Sequence, residues 1–169
     1  MDLTIAGSYT QNDFAVENGT VVIACFAEGT RIATPSGETP VEQLRVGTCV
    51  LTTAHGALPI VWIGRRRIAS AEREDMLPIR IAADAFGPAV PRRDLYLSPD
   101  HAVFAGGVLI PVKLLVNGTT ITQQDRDEIV YWHFELPRHA VILAEALPTE
   151  SYLDTGNRAA FTTPMRRAG

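Results

Sequence analysis

The sequence predicts an all-β fold, and three observations carry that prediction. Turn signals built from Gly, Pro, Asn and Asp recur at roughly eight- to twelve-residue intervals, the spacing of consecutive short strands. The runs between them are short and rich in β-branched and aromatic residues. No segment sustains a 3.6-residue apolar period, so no long helix is expected.

In chain order, these signals predict strands at 20–26, 30–34, 49–53, 59–68, 76–82, 94–98, 101–105, 108–111, 118–122, 128–136 and 139–145. Short helical turns are predicted at Val41 to Leu44, Ile81 to Ala85 and Pro111 to Leu115. Two of these belong to an internal echo. Pro40-Val41-Glu42-Gln43-Leu44-Arg45-Val46-Gly47 and Pro111-Val112-Lys113-Leu114-Leu115-Val116-Asn117-Gly118 share the pattern Pro-Val-x-x-Leu-x-x-Gly. Proline opens a helical turn well and glycine closes one. Each copy follows a glycine-bearing turn and precedes a β-rich run, which predicts two similar β units about a pseudo-twofold axis. Residues 1–19 are polar and rich in Gly, Asn, Thr and Ser, a flexible flank by composition. Residues 20–153 are the expected domain, and 154–169 a peripheral tail.

Composition narrows the classes of function. Apolar residues make up 46% of the 169 and charged residues 20%, enough for one packed domain. A net charge of −4 argues against a nucleic-acid partner, which selects a basic face. The clusters Arg65-Arg66-Arg67 and Arg92-Arg93 are local and read as solvated edges. No stretch reaches the roughly 18 apolar residues of a membrane span, so no membrane partner is expected. Met1-Asp2-Leu3 opens no signal peptide, which predicts a soluble protein, cytoplasmic or exported by a non-classical route.

The nucleophile and base candidates are few. Cys25 and Cys49 could pair, but a chain of this size needs no staple. Cys49, in Thr48-Cys49-Val50-Leu51, is expected to be a small buried side chain. His55 sits in a turn and is expected to be exposed, whereas His101, His133 and His139 fall in β-type sequence. In Leu97-Ser98-Pro99-Asp100-His101 the serine and histidine flank a Pro-Asp turn, so both can point at one spot. Cys25, His101, His133 and His139 are ligand types that zinc favours. Neither a Cys-x-x-Cys nor a His-x-x-x-His pair joins them, so neither a metal nor another cofactor is expected.

Four blocks in order carry a family resemblance. Cys25-Phe26-Ala27-Glu28-Gly29-Thr30-Arg31-Ile32, with Gly37 to Gly47 behind it, resembles the opening of Hedgehog/intein (Hint) domains of the bacterial branch. Ser98-Pro99-Asp100-His101 resembles the family's Thr-x-x-His block, and Tyr131-Trp132-His133-Phe134-Glu135-Leu136 with His139 resembles its late block. The resemblance implies the curved all-β Hint horseshoe and an N-to-S acyl shift, in which Cys25 attacks the carbonyl of Ala24. It also implies roles. His101 hydrogen-bonds and protonates the scissile nitrogen, Ser98 holds the amide or oxyanion, His133 deprotonates Cys25 or stabilises its thiolate, and His139 assists thioester breakdown. The substrate is then the chain's own upstream segment, and the acceptor is water, a thiol or an amine. Splicing inteins end in His-Asn; here the aligned residues are Glu150-Ser151, so cleavage without splicing is expected. A chemically silent Hint scaffold and a zinc-binding Cys/His module are the alternatives.

Overall fold

The computed structural model describes residues 24–69, 76–151 and 161–162. The expected N-terminal flank, the start of the first expected strand and most of the expected tail lie outside the described residues. Fourteen strands form among those described: β1 (Phe26–Ala27), β2 (Arg31–Thr34), β3 (Gly37–Pro40), β4 (Cys49–Thr52), β5 (Gly56–Pro59), β6 (Trp62–Ala69), β7 (Ile79–Ile81), β8 (Leu95–Leu97), β9 (Ala102–Ala105), β10 (Val108–Pro111), β11 (Ile121–Gln123), β12 (Glu128–Glu135), β13 (Val141–Ala144) and β14 (Leu147–Glu150). Val41–Gln43 and Val112–Leu115 are 3₁₀ turns.

The internal echo is a structural repeat. β2 pairs with β3 from Arg31↔Pro40 to Thr34↔Gly37, and β9 pairs with β10 from Ala102↔Pro111 to Ala105↔Val108. In both units proline ends the hairpin, and the following valine donates its N–H back across it. Val41 bonds the Thr30 carbonyl at 2.8 Å and Val112 the His101 carbonyl at 2.9 Å. One sheet runs β10-β9-β14-β13-β2-β3, so the two hairpins flank a central β13–β14 hairpin, and β4–β5 attaches to β13. The other runs β11-β7-β8-β1-β12-β6 and sets β8 and β1, the strands that precede the two hairpins, side by side at its centre. Both paths are symmetric about their middle.

Where sequence and structure differ, the cause is local. β3, β5 and β14 are unpredicted because Gly37-Glu38-Thr39-Pro40, Gly56-Ala57-Leu58-Pro59 and Leu147-Pro148-Thr149-Glu150 are short and carry proline. Such a residue is tolerated at strand ends and edges. The first strand begins at Phe26, one residue after Cys25. The helical turn expected from Ile81 is instead an irregular turn, because Asp84 adopts φ +62°, which a right-handed helix excludes. Cys49 is exposed rather than buried: it starts β4, where the two-residue alternation turns Val50 inward. His55 lies in an exposed turn, as expected.

The main apolar core draws on both sheets, with Phe26, Ile79, Leu95, Trp132 and Phe134 from one and Ile32, Val50, Val103, Ile142 and Leu147 from the other. Each such side chain contributes about 1.5–3 kcal/mol on burial. A second cluster of Cys25, Ala27, Ile68, Met76, Ile129, Tyr131 and Phe161 lies apart from it. β12 separates the two. Its even residues Val130, Trp132 and Phe134 pack into the main core, while Ile129 and Tyr131 pack with Cys25. Strand alternation therefore sends His133 to the same side as the thiol.

Candidate active site

The site is built on the junction of β1 and β8. Phe26 pairs with Leu97, and the ladder extends one step beyond them, where Ser98 N donates to the Cys25 carbonyl at 3.1 Å. Cys25 and Ser98 thus face each other across neighbouring chain segments. A β-turn through Pro99-Asp100 closes with His101 N donating to the Ser98 carbonyl at 3.0 Å, which brings the imidazole back over the same segment. Lys113 N bonds the Pro99 carbonyl at 2.9 Å, so the second 3₁₀ turn fixes this turn from behind. The Phe26 ring packs edge-on against His101 at 4.4 Å and stacks on Phe134 at 5.8 Å.

Three side chains converge on Cys25. Its N–H donates to Ser98 Oγ at 2.8 Å. Its Sγ lies 3.4 Å from His133 Nε2, and its carbonyl lies 3.0 Å from His101 Nδ1. Cys25, Ser98 and His101 are fully buried, and Ala24 is buried beside them. The Cys25 nitrogen, expected to meet His101, meets Ser98 instead, and His101 lies against the carbonyl of the same residue.

Glu150 supports His101. Its backbone carbonyl lies 3.2 Å from His101 Nε2, and its Oε1 accepts from Ala102 N at 2.7 Å. Its Oε2 lies 3.4 Å from His139 Nε2, so His139 connects with the site through this carboxylate. Both ring nitrogens of His101 face carbonyl oxygens. A neutral imidazole can donate to only one of them, and the imidazolium to both.

Burial governs the electrostatics. It pushes the Cys25 thiol far above its ordinary range; the hydrogen bond with Ser98 and the Arg66 guanidinium oppose the rise only in part. Burial holds His133 well below its usual value, helped by His101 and Arg66. It also lowers His101, against the pull of the Glu150 carboxylate and the two carbonyls. At neutral pH the Cys25–His133 pair is therefore thiol and imidazole, not thiolate and imidazolium. For Sγ–H to donate to Nε2, His133 must carry its proton on Nδ1.

Of the residues singled out in the sequence, Cys25, Ser98, His101 and His133 meet at one point, and His139 stands one side chain removed. Glu150 and Phe161 went unrecognised. Glu150 belongs to an unpredicted strand, and Phe161 reaches the site from beyond residue 153. Among the described residues no cluster of three His, Cys, Asp or Glu side chains is arranged to hold a metal, and no helix is long and apolar enough to cross a membrane.

The Hint domain family model matches residues 24–156. The chain belongs to the Hint domain family. No curated protein sequence matches it. Similar solved structures include a bacterial intein-like domain from Clostridium thermocellum, with TM-score 0.57 at 11% identity over 77% of this chain and 99% of that one. A DnaB intein from a Synechocystis species aligns with TM-score 0.54 at 7% identity, covering 78% of this chain and all of the other (100%). The MchDnaB-1 intein in its N145AA form aligns with TM-score 0.53 at 13% identity over 75% and 99% of the two chains. At these identities the likeness is one of fold.

Proposed function

We propose that this domain processes its own chain: Cys25 attacks the Ala24 carbonyl and converts the Ala24–Cys25 amide to a thioester. The observation that carries this reading is the placement of Ser98 Oγ, 2.8 Å from the Cys25 nitrogen, the atom that must take a proton as it leaves. In the reaction the Sγ–C bond forms, the C–N bond breaks, and the electron pair goes to the Cys25 nitrogen. On balance one proton moves from sulfur to nitrogen. His133 Nε2 accepts the thiol proton as the C–S bond forms. Ser98 Oγ gives its hydroxyl proton to the Cys25 nitrogen as the C–N bond breaks, and the proton held by His133 restores the hydroxyl. His101, charged, donates from Nδ1 to the Cys25 carbonyl and so keeps the departing amine in place. His139 acts on His101 through Glu150.

The thioester then passes its acyl group to water, a thiol or an amine, releasing the segment that ends at Ala24. An inert Hint scaffold is the second reading, and the deep burial of the thiol favours it. Incubation of the purified chain with dithiothreitol and weighing of the products separates the two. Loss of residues 1–24, absent in Cys25→Ala, supports self-processing; an unchanged mass over days supports the scaffold.

A further inference from the structure

Two residues near the C-terminus lie across this site. Thr162 pairs with Arg65 of β6 as an isolated antiparallel bridge, with N···O distances of 2.9 and 3.0 Å in the two directions. Phe161 is buried, and its ring packs edge-on against His133 at 4.2 Å and Trp62 at 6.0 Å. His133 in turn lies 3.4 Å from Cys25 Sγ. The residue facing His133 across the β6–β12 ladder is Gly64. A Cβ there would come within 2.6 Å of the Trp62 ring and 2.9 Å of Phe161 Cβ, so the missing side chain leaves the slot these rings occupy. Arg65↔Thr162 is an isolated bridge, and pairings outside an extended ladder open at low free-energy cost.

We propose that Phe161 and Thr162 form a strap over the Cys25–His133 pair, and that Phe161 selects by size which outside nucleophile reaches Cys25. Its part in choosing an acyl acceptor rests on the self-processing reading. Its closure of the thiol does not. With the strap seated, the approach to Sγ along the His133 side is filled by an aromatic ring. Water-sized acceptors are then favoured over larger thiols and amines until the bridge to Arg65 opens.

The test reads thiol access directly in the full-length chain carrying Cys49→Ser, since Cys49 is exposed and reacts first. Cys25 labelling is followed with iodoacetamide and with the bulkier 5,5'-dithiobis(2-nitrobenzoic acid). Phe161→Ala removes the ring, and Thr162→Pro removes the N–H that bonds Arg65. Both variants are expected to speed labelling by about tenfold or more, with the larger gain for the bulkier reagent, because the open state becomes the resting state. Unchanged rates in both variants overturn the strap. So does loss of cooperative urea unfolding in both, which makes the segment part of the core. Faster labelling with no dithiothreitol-induced fragment upholds the strap and removes the self-processing reading instead.

Discussion

Ser98 makes the decisive contacts at the scale of single residues. Its oxygen accepts the Cys25 N–H at 2.8 Å, so one small side chain holds the receiving end of the proposed proton transfer. Ser98→Ala leaves a buried N–H without that acceptor, at a cost of about 1–3 kcal/mol. It is expected to slow dithiothreitol-induced cleavage by about a hundredfold or more, the usual size of such a deletion; Ser98→Thr retains the hydroxyl and most of the rate. The decay of intact mass with time measures both. The pairing of Ser98 with His101 was legible because a Pro-Asp turn fixes their mutual direction. The atom that His101 meets was not, because it depends on the β1–β8 register. Glu150→Gln removes the carboxylate that, among the described residues, supports the charged form of His101, and is expected to shift the high-pH limb of the cleavage profile, where that form is lost, downward in pH. Cleavage rates measured from pH 5 to 8 test the shift.

Among the described elements, the β13–β14 hairpin stores backbone strain in its turn. Its two turn residues, Glu145 and Ala146, have φ +50° and +68°. A two-residue turn of this hand suits Asn-Gly, which is why Glu-Ala gave no turn signal and β14 escaped prediction. Side-chain bonds compensate at the first position: the buried Glu145 carboxylate accepts from Arg31 N at 2.8 Å and Arg93 Nε at 2.7 Å. No such bond accompanies Ala146, so Ala146→Gly is expected to stabilise by about 0.5–1 kcal/mol, strain relief outweighing the entropy glycine brings to the unfolded chain. Glu145→Gly relieves the same strain but forfeits the carboxylate and is expected to destabilise. Urea midpoints at constant slope distinguish the pair. The hairpin carries Glu150, so its geometry bears directly on His101.

For the whole molecule, the buried histidines set the response to acid. His101 and His133 both have folded values below the ordinary 6.5. The unfolded chain therefore binds their protons first, and stability falls as pH drops below about 6.5, by up to roughly 1.4 kcal/mol per pH unit for each group. Above that pH both states hold neutral rings, and the effect vanishes. His133→Gln is expected to flatten the acid slope between pH 6.5 and 5 relative to the parent. Urea unfolding at half-unit intervals reads the slope, and an unaltered profile would show that this ring does not control it.

The all-β class, the duplicated Pro-Val-x-x-Leu-x-x-Gly units and the facing of Ser98 and His101 follow from local rules, which reach only a few residues along the chain. Alternation along 128–136 likewise determined that His133 shares a face with Ile129 and Tyr131. What surrounds Cys25 was decided by tertiary structure alone. The thiol's high pKa, the grip of Ser98 on its nitrogen, the carboxylate behind His101 and the ring of Phe161 over His133 join segments separated by tens of residues. Strand register and burial create such contacts, and neither is written in the spacing of any one segment.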